Sequence, residues 1–381
     1  MPGMPAPIYL DHNATTPLAD EVLEAMTTAL RDLWGNPSSV HGPGRAARGA
    51  IERARGEVAE LLECAPEEIV FTGGGTESDN LAIAGIAAAR EQLGRHLVIS
   101  AVEHPAIEEP CRRLEALGWE VSRIGVKPDG RVDLDALGAA LRPDTVLVSV
   151  MHAHNETGVI QPVAAVANAA RERGIPVHTD ACQTVGKIRV AVDDLGVDLL
   201  SLAGHKLYGP KGVGALYLRG GLRIEPVVRG AGHERGIRPG TEPTAEIVGL
   251  GAACTLARRE LPERVRRQAE LRDRLERGLR RELPGLAVHG ERSPRLPNTA
   301  LVALPGVDAV ALVGGLDEVA MSTGSACHAG GAPAGVLAAM GVAQTLARGT
   351  VRLTLGRRTT EAEVDRAVAA IARGAAAYRI G

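Results

Sequence analysis

The stretch IPVHTDACQTVGKIRVAVDDLGVDLLSLAGHKLYGPKGVGALYLR, residues 175–219, decides the fold. It holds three short β-rich runs. IPVHTDAC (175–182) and VDLLSLAGHK (197–206) each pass from apolar residues into polar ones, and GVGALYLRG (212–220) follows a Gly/Pro turn. Apolar runs bounded by such signals predict strands. The polar residues fall at strand ends, where open α/β sheets bind their ligands. Asp180 ends the first run and Lys206 the second.

Outward from this stretch the pattern repeats. EEIVFTGG (67–74), RHLVISAVEH (95–104), WEVSRIGV (119–126) and DTVLVSVMHAH (144–154) predict further strands. TESDNLAIAGIAAAREQLG (76–94), PAIEEPCRRLEALG (105–118), DLDALGAALR (133–142) and PVAAVANAARERG (162–174) predict helices. Such alternation predicts an α/β domain with a largely parallel sheet. Near residue 255 the character changes. LARRELPERVRRQAELRDRLERGLRREL (256–283) reads as a long, charged amphipathic helix with a solvated face. A smaller α/β segment follows, with strands at NTALVAL (298–304) and TVRLTLG (350–356) and a last helix at 361–379. Two domains are expected: a large one over 15–255, and a small one over 256–381 together with 1–14.

Composition narrows the function classes. Hydrophobic residues make up 45% and charged residues 23%, the balance of a globular chain, and aromatics at 2% leave the core to Leu, Val, Ile and Ala. A net charge of -3 gives no electrostatic footprint for direct nucleic-acid or anionic-membrane binding. No run is long and apolar enough to span a membrane, and the first residues lack a signal-peptide pattern. Five scattered cysteines without a C-x-x-C pair point to a reduced, cytoplasmic protein.

Lysine is scarce: four (Lys127, Lys187, Lys206, Lys211) among 43 basic residues. A lysine at a buried strand end can lose its proton and act as nucleophile or base, although a single such lysine is as well explained by a surface ion pair. Asp180 by itself could be a cap, and the glycines of TGGGTESDN (72–80) any tight turn. Together, in this order, they match what pyridoxal phosphate needs. That cofactor takes a Schiff-base lysine, a carboxylate for its pyridine nitrogen, and a phosphate cup at a helix N-terminus.

On these and further motifs the chain resembles the cysteine desulfurases of the NifS/IscS group. These are class V aminotransferase relatives with the aspartate-aminotransferase-like fold (fold type I). The motifs are YLDHNATTP (9–17), GNPSSVHGPGR (35–45), FTGGGTESDNLA (71–82), EHPAI (103–107), MHAHNETGVIQP (151–162) and HTDACQTVGK (178–187). GHKLYGPKGVGALYLR (204–219), GHERGIRPGTE (232–242), STGSAC (322–327) and VRLTLGR (351–357) complete the set, which spans essentially the whole chain.

The resemblance implies a mostly parallel seven-stranded sheet in the large domain and a set of residue roles. Lys206 would bind the cofactor covalently and move the substrate Cα proton. Asp180 would pair with the pyridine nitrogen, Gln183 and Asn155 with the ring oxygen, and His104 would stack on the ring and act in proton transfer. Gly75, Thr76 and His205 would hold the phosphate, joined by Thr241 of a second subunit, which implies a homodimer. Arg352, with Asn155, would clamp the carboxylate of L-cysteine.

Cys327, on the bare segment 322–331, would take the sulfur as a persulfide and pass it to an acceptor protein such as an iron–sulfur scaffold, leaving L-alanine. The small residues around it fit a segment that must move. Cys64, Cys111, Cys182 and Cys254 read as buried packing thiols. Ala203 stands where many relatives carry serine, His154 where they carry asparagine, and the chain lacks the longer tail with which IscS-like members dock the iron–sulfur scaffold, which leans the match towards NifS-like members. Selenocysteine lyase or ordinary aminotransferase activity would use the same scaffold. A different class, a metal hydrolase, would use His152, His154, His178, Asp180 and Cys182.

Overall fold

The structure is a computed structural model that describes residues 7–324 and 335–380. After a two-residue strand β1 (Ile8–Tyr9), the chain builds the large sheet from β2 (Ile69–Thr72), β3 (His96–Ser100), β4 (Glu120–Ile124), β5 (Thr145–Ser149), β6 (Val177–Asp180), β7 (Leu199–Ala203) and β8 (Gly214–Leu218). Their order is β2-β8-β7-β6-β5-β3-β4. All seven fall within the runs expected from sequence. Six run parallel to one another, and β8 lies antiparallel between β2 and β7. β3, β5 and β7 are buried at every position, as strands covered on both faces must be. Successive residues serve opposite cores: Leu97 and Ile99 of β3 face one, Val98 the other.

The expected helices are present at Gly75–Arg90, Pro105–Glu115, Leu134–Ala140 and Val163–Arg171. Two further helices, Asp20–Asp32 and Gly42–Leu62, precede the sheet in a region where the sequence reading placed none. The charged helix is longer than expected. It runs Thr244–Glu282, 39 residues, roughly 58 Å at 1.5 Å per residue. It therefore crosses position 255 without a break, and Pro262 sits inside it on an exposed side. Its first half buries Ile247, Leu250 and Cys254 in the core of the large sheet; its second half buries Leu271, Leu275 and Leu279 in another core. Gly251 makes the first contact possible: a Cβ there would lie 2.8 Å from Ala54 Cα of the helix Gly42–Leu62.

The second core covers an antiparallel sheet of β9 (Ala287–Val288), β10 (Thr299–Ala303), β12 (Ser322–Thr323) and β13 (Thr350–Thr354), in the order β12-β13-β10-β9. β1 pairs in parallel with β11 (Val319–Ala320), and Asp11 bridges to Thr354. The chain thus starts against the smaller sheet and then passes, at Asn13–Thr16, beside Lys206 and His205 of the larger one.

Candidate active site

A cavity of about 230 Å³ opens at the C-terminal ends of β2, β3, β5, β6 and β7. Into it come Gly75 and Thr76 after β2, His104 after β3, Asn155 after β5, Asp180 and Gln183 at and after β6, and His205 and Lys206 after β7. Eight of the expected residues are therefore brought together from five separate strand ends. A larger cavity, about 510 Å³, lies around Tyr9, His12, Tyr208 and Arg357. It contains neither Lys206 nor Asp180, so size does not locate the chemistry here.

Lys206 sits in a short 3-10 turn, Gly204–Lys206. Its Nζ donates to the carbonyls of Asn13 (2.6 Å) and Ala14 (2.8 Å). Burial lowers its pKa, because the ammonium loses water and gains only neutral acceptors. Asp180 ends β6, and its Oδ1 accepts the backbone N–H of Cys182 at 2.8 Å, which fixes the carboxylate at the cavity floor. At another wall the helix Gly75–Arg90 begins with Gly74 at φ +144° and no side-chain cap. Its first N–H groups therefore lack a capping partner from that residue, which suits an anion. Gly75 is required by space, since a Cβ there would stand 2.6 Å from Cys182 Sγ.

The two histidines of the cavity are held differently. His104 caps the helix Pro105–Glu115, its Nδ1 accepting the N–H of Ala106 at 3.1 Å, so Nε2 is the atom left for chemistry. Burial lowers its pKa, opposed by Asp180. His205 Nδ1 lies 3.1 Å from Thr15 Oγ1, and burial, with Lys206 beside it, lowers its pKa to about 4. Gln183 donates Nε2 to Asn13 O (3.0 Å) and accepts Lys187 Nζ at Oε1 (2.6 Å).

Arg352, on β13, reaches the site from the smaller sheet. It donates to Asn155 O (3.2 Å), Asp11 Oδ1 (2.8 Å) and Ser322 Oγ (3.2 Å). It touches the backbone of a cavity residue without lining the cavity. Thr241 is exposed and also lies outside the lining. Cys327 lies outside the described residues; the strand that leads to its segment, β12, pairs Ser322 with Arg352.

Several residues of the site were not read from sequence. Cys182 lines the cavity, so its assignment to packing needs correction. Burial keeps its pKa well above the ordinary 9.0, so it stays a thiol. Asp79 stands one helical turn beyond Gly75 and also faces the cavity. Burial and Asp180 hold its pKa well above the carboxylate range. Glu103, next to His104 in the sequence, does not line the cavity; the burial of its carboxyl raises its pKa to about 8. Oδ1 of Asp79 and Oε2 of Glu103 have no hydrogen-bond partner among the described residues. The spacing of TESDN and the EH pair offered signals for both; Asn13 and Lys187 fall inside the motifs YLDHNATTP and HTDACQTVGK, but no role was read for either.

The histidines of the metal reading are committed elsewhere. His152 Nδ1 lies 2.9 Å from Thr184 Oγ1, and His178 bridges Ser149 Oγ and Ser201 Oγ at 2.9 Å each. His154 Nδ1 accepts the N–H of Glu156 at 3.1 Å, which gives this residue a turn-capping task. Burial lowers these three to about 4, 3 and 4 respectively. Among the described residues no group of three or more His, Cys, Asp or Glu is placed to hold a metal.

The donor set fits pyridoxal phosphate: a half-buried amine of lowered pKa, a fixed carboxylate, and an uncapped helix N-terminus flanked by Thr76 and His205. Ala203 adds only a methyl to that wall. Comparison with known proteins agrees. The family model for class-V aminotransferases matches residues 8–367. "Cysteine desulfurase IscS" of Dictyoglomus turgidum is 47% identical over 361 residues, 94% of this chain and 92% of the relative. "Cysteine desulfurase" of Mus musculus is 44% identical over 94% of this chain and 79% of its own. Among solved structures, a "NifS-like protein" superposes with a TM-score of 0.91 at 37% identity, covering 97% of this chain and 99% of that one. "SspA in complex with cysteine" gives 0.82 at 38% identity, covering 91% and 98%.

Proposed function

The chain belongs to the class-V aminotransferase family and is a pyridoxal-phosphate-dependent cysteine desulfurase, and from that premise we propose which of its residues do the work. The observation that carries the assignment is the meeting of Lys206, Asp180 and the uncapped start of the helix Gly75–Arg90 in one cavity. The bound cofactor supplies an electron sink for the pair released at the substrate Cα.

The chain's own groups do the rest. Gly75, Thr76 and His205 would hold the phosphate, joined by Thr241 of a second subunit in a homodimer. Asp180 would pair with the pyridine nitrogen. Gln183 and Asn155 would hydrogen-bond the ring oxygen, and His104 would stack on the ring. Lys206, with a pKa lowered by burial, anchors the cofactor and takes the Cα proton of L-cysteine. Arg352 binds the substrate carboxylate in a bidentate way that suits guanidinium, exchanging its contact with Asp11 for the ligand. Cys327, as thiolate, attacks the substrate sulfur. An S–S bond forms, the substrate Cβ–S bond breaks with its electron pair left on carbon, and a proton added at Cβ together with the proton returned to Cα gives L-alanine. The persulfide on Cys327 then supplies an acceptor protein, for which iron–sulfur cluster assembly is the proposed use.

The test is a purified protein with a visible cofactor band that converts L-cysteine to alanine and, with a reductant, sulfide in equal amounts. Cys327→Ala is expected to keep the band and lose both products. Unchanged sulfur release in that variant would refute the role of Cys327.

A further inference from the structure

Lys187 has no part in the chemistry above, yet two of its contacts lead straight to it. It lies in the turn after β6, 5% exposed. Its Nζ donates to Gln183 Oε1 at 2.6 Å and to Asn13 Oδ1 at 2.8 Å, both neutral amide oxygens. Burial, and the positive Lys206 nearby, push its pKa well below the ordinary 10.5. A buried amine with amide partners adds less to stability than a well-packed apolar side chain of its size. Fold stability therefore does not account for it; the direction it imposes on its partners does.

A carboxamide is nearly symmetric in shape, and hydrogen-bond partners decide which end is oxygen. With a donor at Lys187, Gln183 must turn Oε1 toward it. Nε2 then faces the other way, donates one hydrogen to Asn13 O at 3.0 Å, and keeps its second hydrogen on a residue that lines the cavity. Asn13 is fixed in the same manner. Its Oδ1 accepts from Lys187 and from Asn298 Nδ2 (3.0 Å). Its Nδ2 donates to Asn155 O (3.1 Å) and Thr299 Oγ1 (3.0 Å). Its carbonyl carries Lys206 Nζ and Gln183 Nε2.

We infer that Lys187 is a positioning residue: by donating to Gln183 and Asn13 it turns the Gln183 N–H toward the cavity and holds the carbonyl on which Lys206 Nζ rests. The inference rests on the reading of this cavity as the cofactor site, and its test separates the two. Cofactor-free wild type, Lys187→Met, Gln183→Leu and the double variant are titrated with pyridoxal phosphate, following the visible band. Lys187→Met is expected to weaken binding about ten-fold, the worth of one buried hydrogen bond, and to displace the band maximum. The double variant is expected to lose clearly less than the two single losses multiplied, because both substitutions share the Gln183 amide. Wild-type affinity and band position in Lys187→Met, or losses that multiply in the double variant, overturn the inference.

A second readout needs no cofactor. The four lysines are followed individually by reductive methylation and peptide mass spectrometry. Lys206 is expected to react at a several-fold altered rate in Lys187→Met, with Lys127 and Lys211 unchanged; an unaltered Lys206 also overturns the inference. This labelling decides the matter even in a wild type that binds no pyridoxal phosphate, a result that would sink the functional reading instead. Should Lys187→Met fail to fold, Lys187→Gln, whose donor is drawn back by one bond, runs through both readouts under the same criteria.

Discussion

Substituting Glu234 tests how β2, which leads into the Gly73–Gly75 turn beside the cavity, is held. Arg55 and Glu234 are 3% and 1% exposed in their side chains and form a paired contact, NH1–Oε2 and NH2–Oε1, at 2.8 Å each. Arg55 NH1 also donates to Ile69 O (2.9 Å), and Glu234 Oε2 accepts the N–H of Phe71 (2.9 Å). Both backbone groups belong to β2, which runs directly into Gly73–Gly75. Glu234 is held at φ +44° to make these contacts.

Removing one partner of a buried pair costs about 3–5 kcal/mol. Glu52 remains at 2.9 Å from Arg55 Nε, so Glu234→Gln belongs at the low end, about 3 kcal/mol. Glu234→Ala also strands the Phe71 N–H and should cost about 1 kcal/mol more. A chain of 381 residues has an unfolding entropy of roughly 0.8 kcal/mol/K, so 3 kcal/mol corresponds to a Tm lower by about 4 °C. Calorimetry on the cofactor-free protein reads this directly. Arg55→Met combined with Glu234→Gln should lose clearly less than the two singles together, since no lone charge is left. A Glu234→Gln protein within about 1 °C of wild type, or a strictly additive pair, would refute the reasoning.

Two further outcomes follow from Glu103 and Gly75. Glu103 is raised from the ordinary 4.5 to about 8, first by burial. A carboxyl with a raised folded-state pKa gives stability that is fully present below its unfolded value and lost as pH rises through the folded one. The cofactor-free wild type should therefore lose stability relative to Glu103→Gln between about pH 4.5 and 8 in denaturant titrations; a pH-independent difference contradicts the shift. Gly75→Ala would place a Cβ 2.6 Å from Cys182 Sγ and 3.4 Å from Ala203 Cβ. It should weaken pyridoxal phosphate binding by about ten-fold or more through overpacking, with Cys182→Ala restoring most of the loss; failure of that rescue locates the clash elsewhere.

The strands were legible because each obeys a local rule. Runs such as TVLVS and HLVIS carry aliphatic side chains at three successive central positions, which a strand covered on both faces tolerates. The ends of β6 and β7 were legible for the same reason, and with them Asp180 and Lys206. The long helix was misjudged at its start. Its first turns, TAEIVGLGAAC, bury small and apolar residues against two helices and lack the charge pattern that marked the rest. The helices Asp20–Asp32 and Gly42–Leu62 stand before the first strand of the large sheet, outside the strand–helix alternation that marks the rest of the domain, although their buried positions follow a helical spacing.

The sequence by itself determined the α/β class, the seven strands of the large sheet, and the lysine, carboxylate and glycine turn of the site, because these are set by periodicity and by residue type over a few positions. Tertiary structure alone decided the antiparallel insertion of β8, the burial of Asp79 and of the Glu103 carboxyl, the exposure of Cys182 to the cavity, and the Asn13 hub that ties Lys187, Gln183 and Lys206 together. Those contacts join residues that stand far apart in the chain. A hydrogen bond of that range leaves no trace in local composition; it exists only once two sheets and the segment between them have packed.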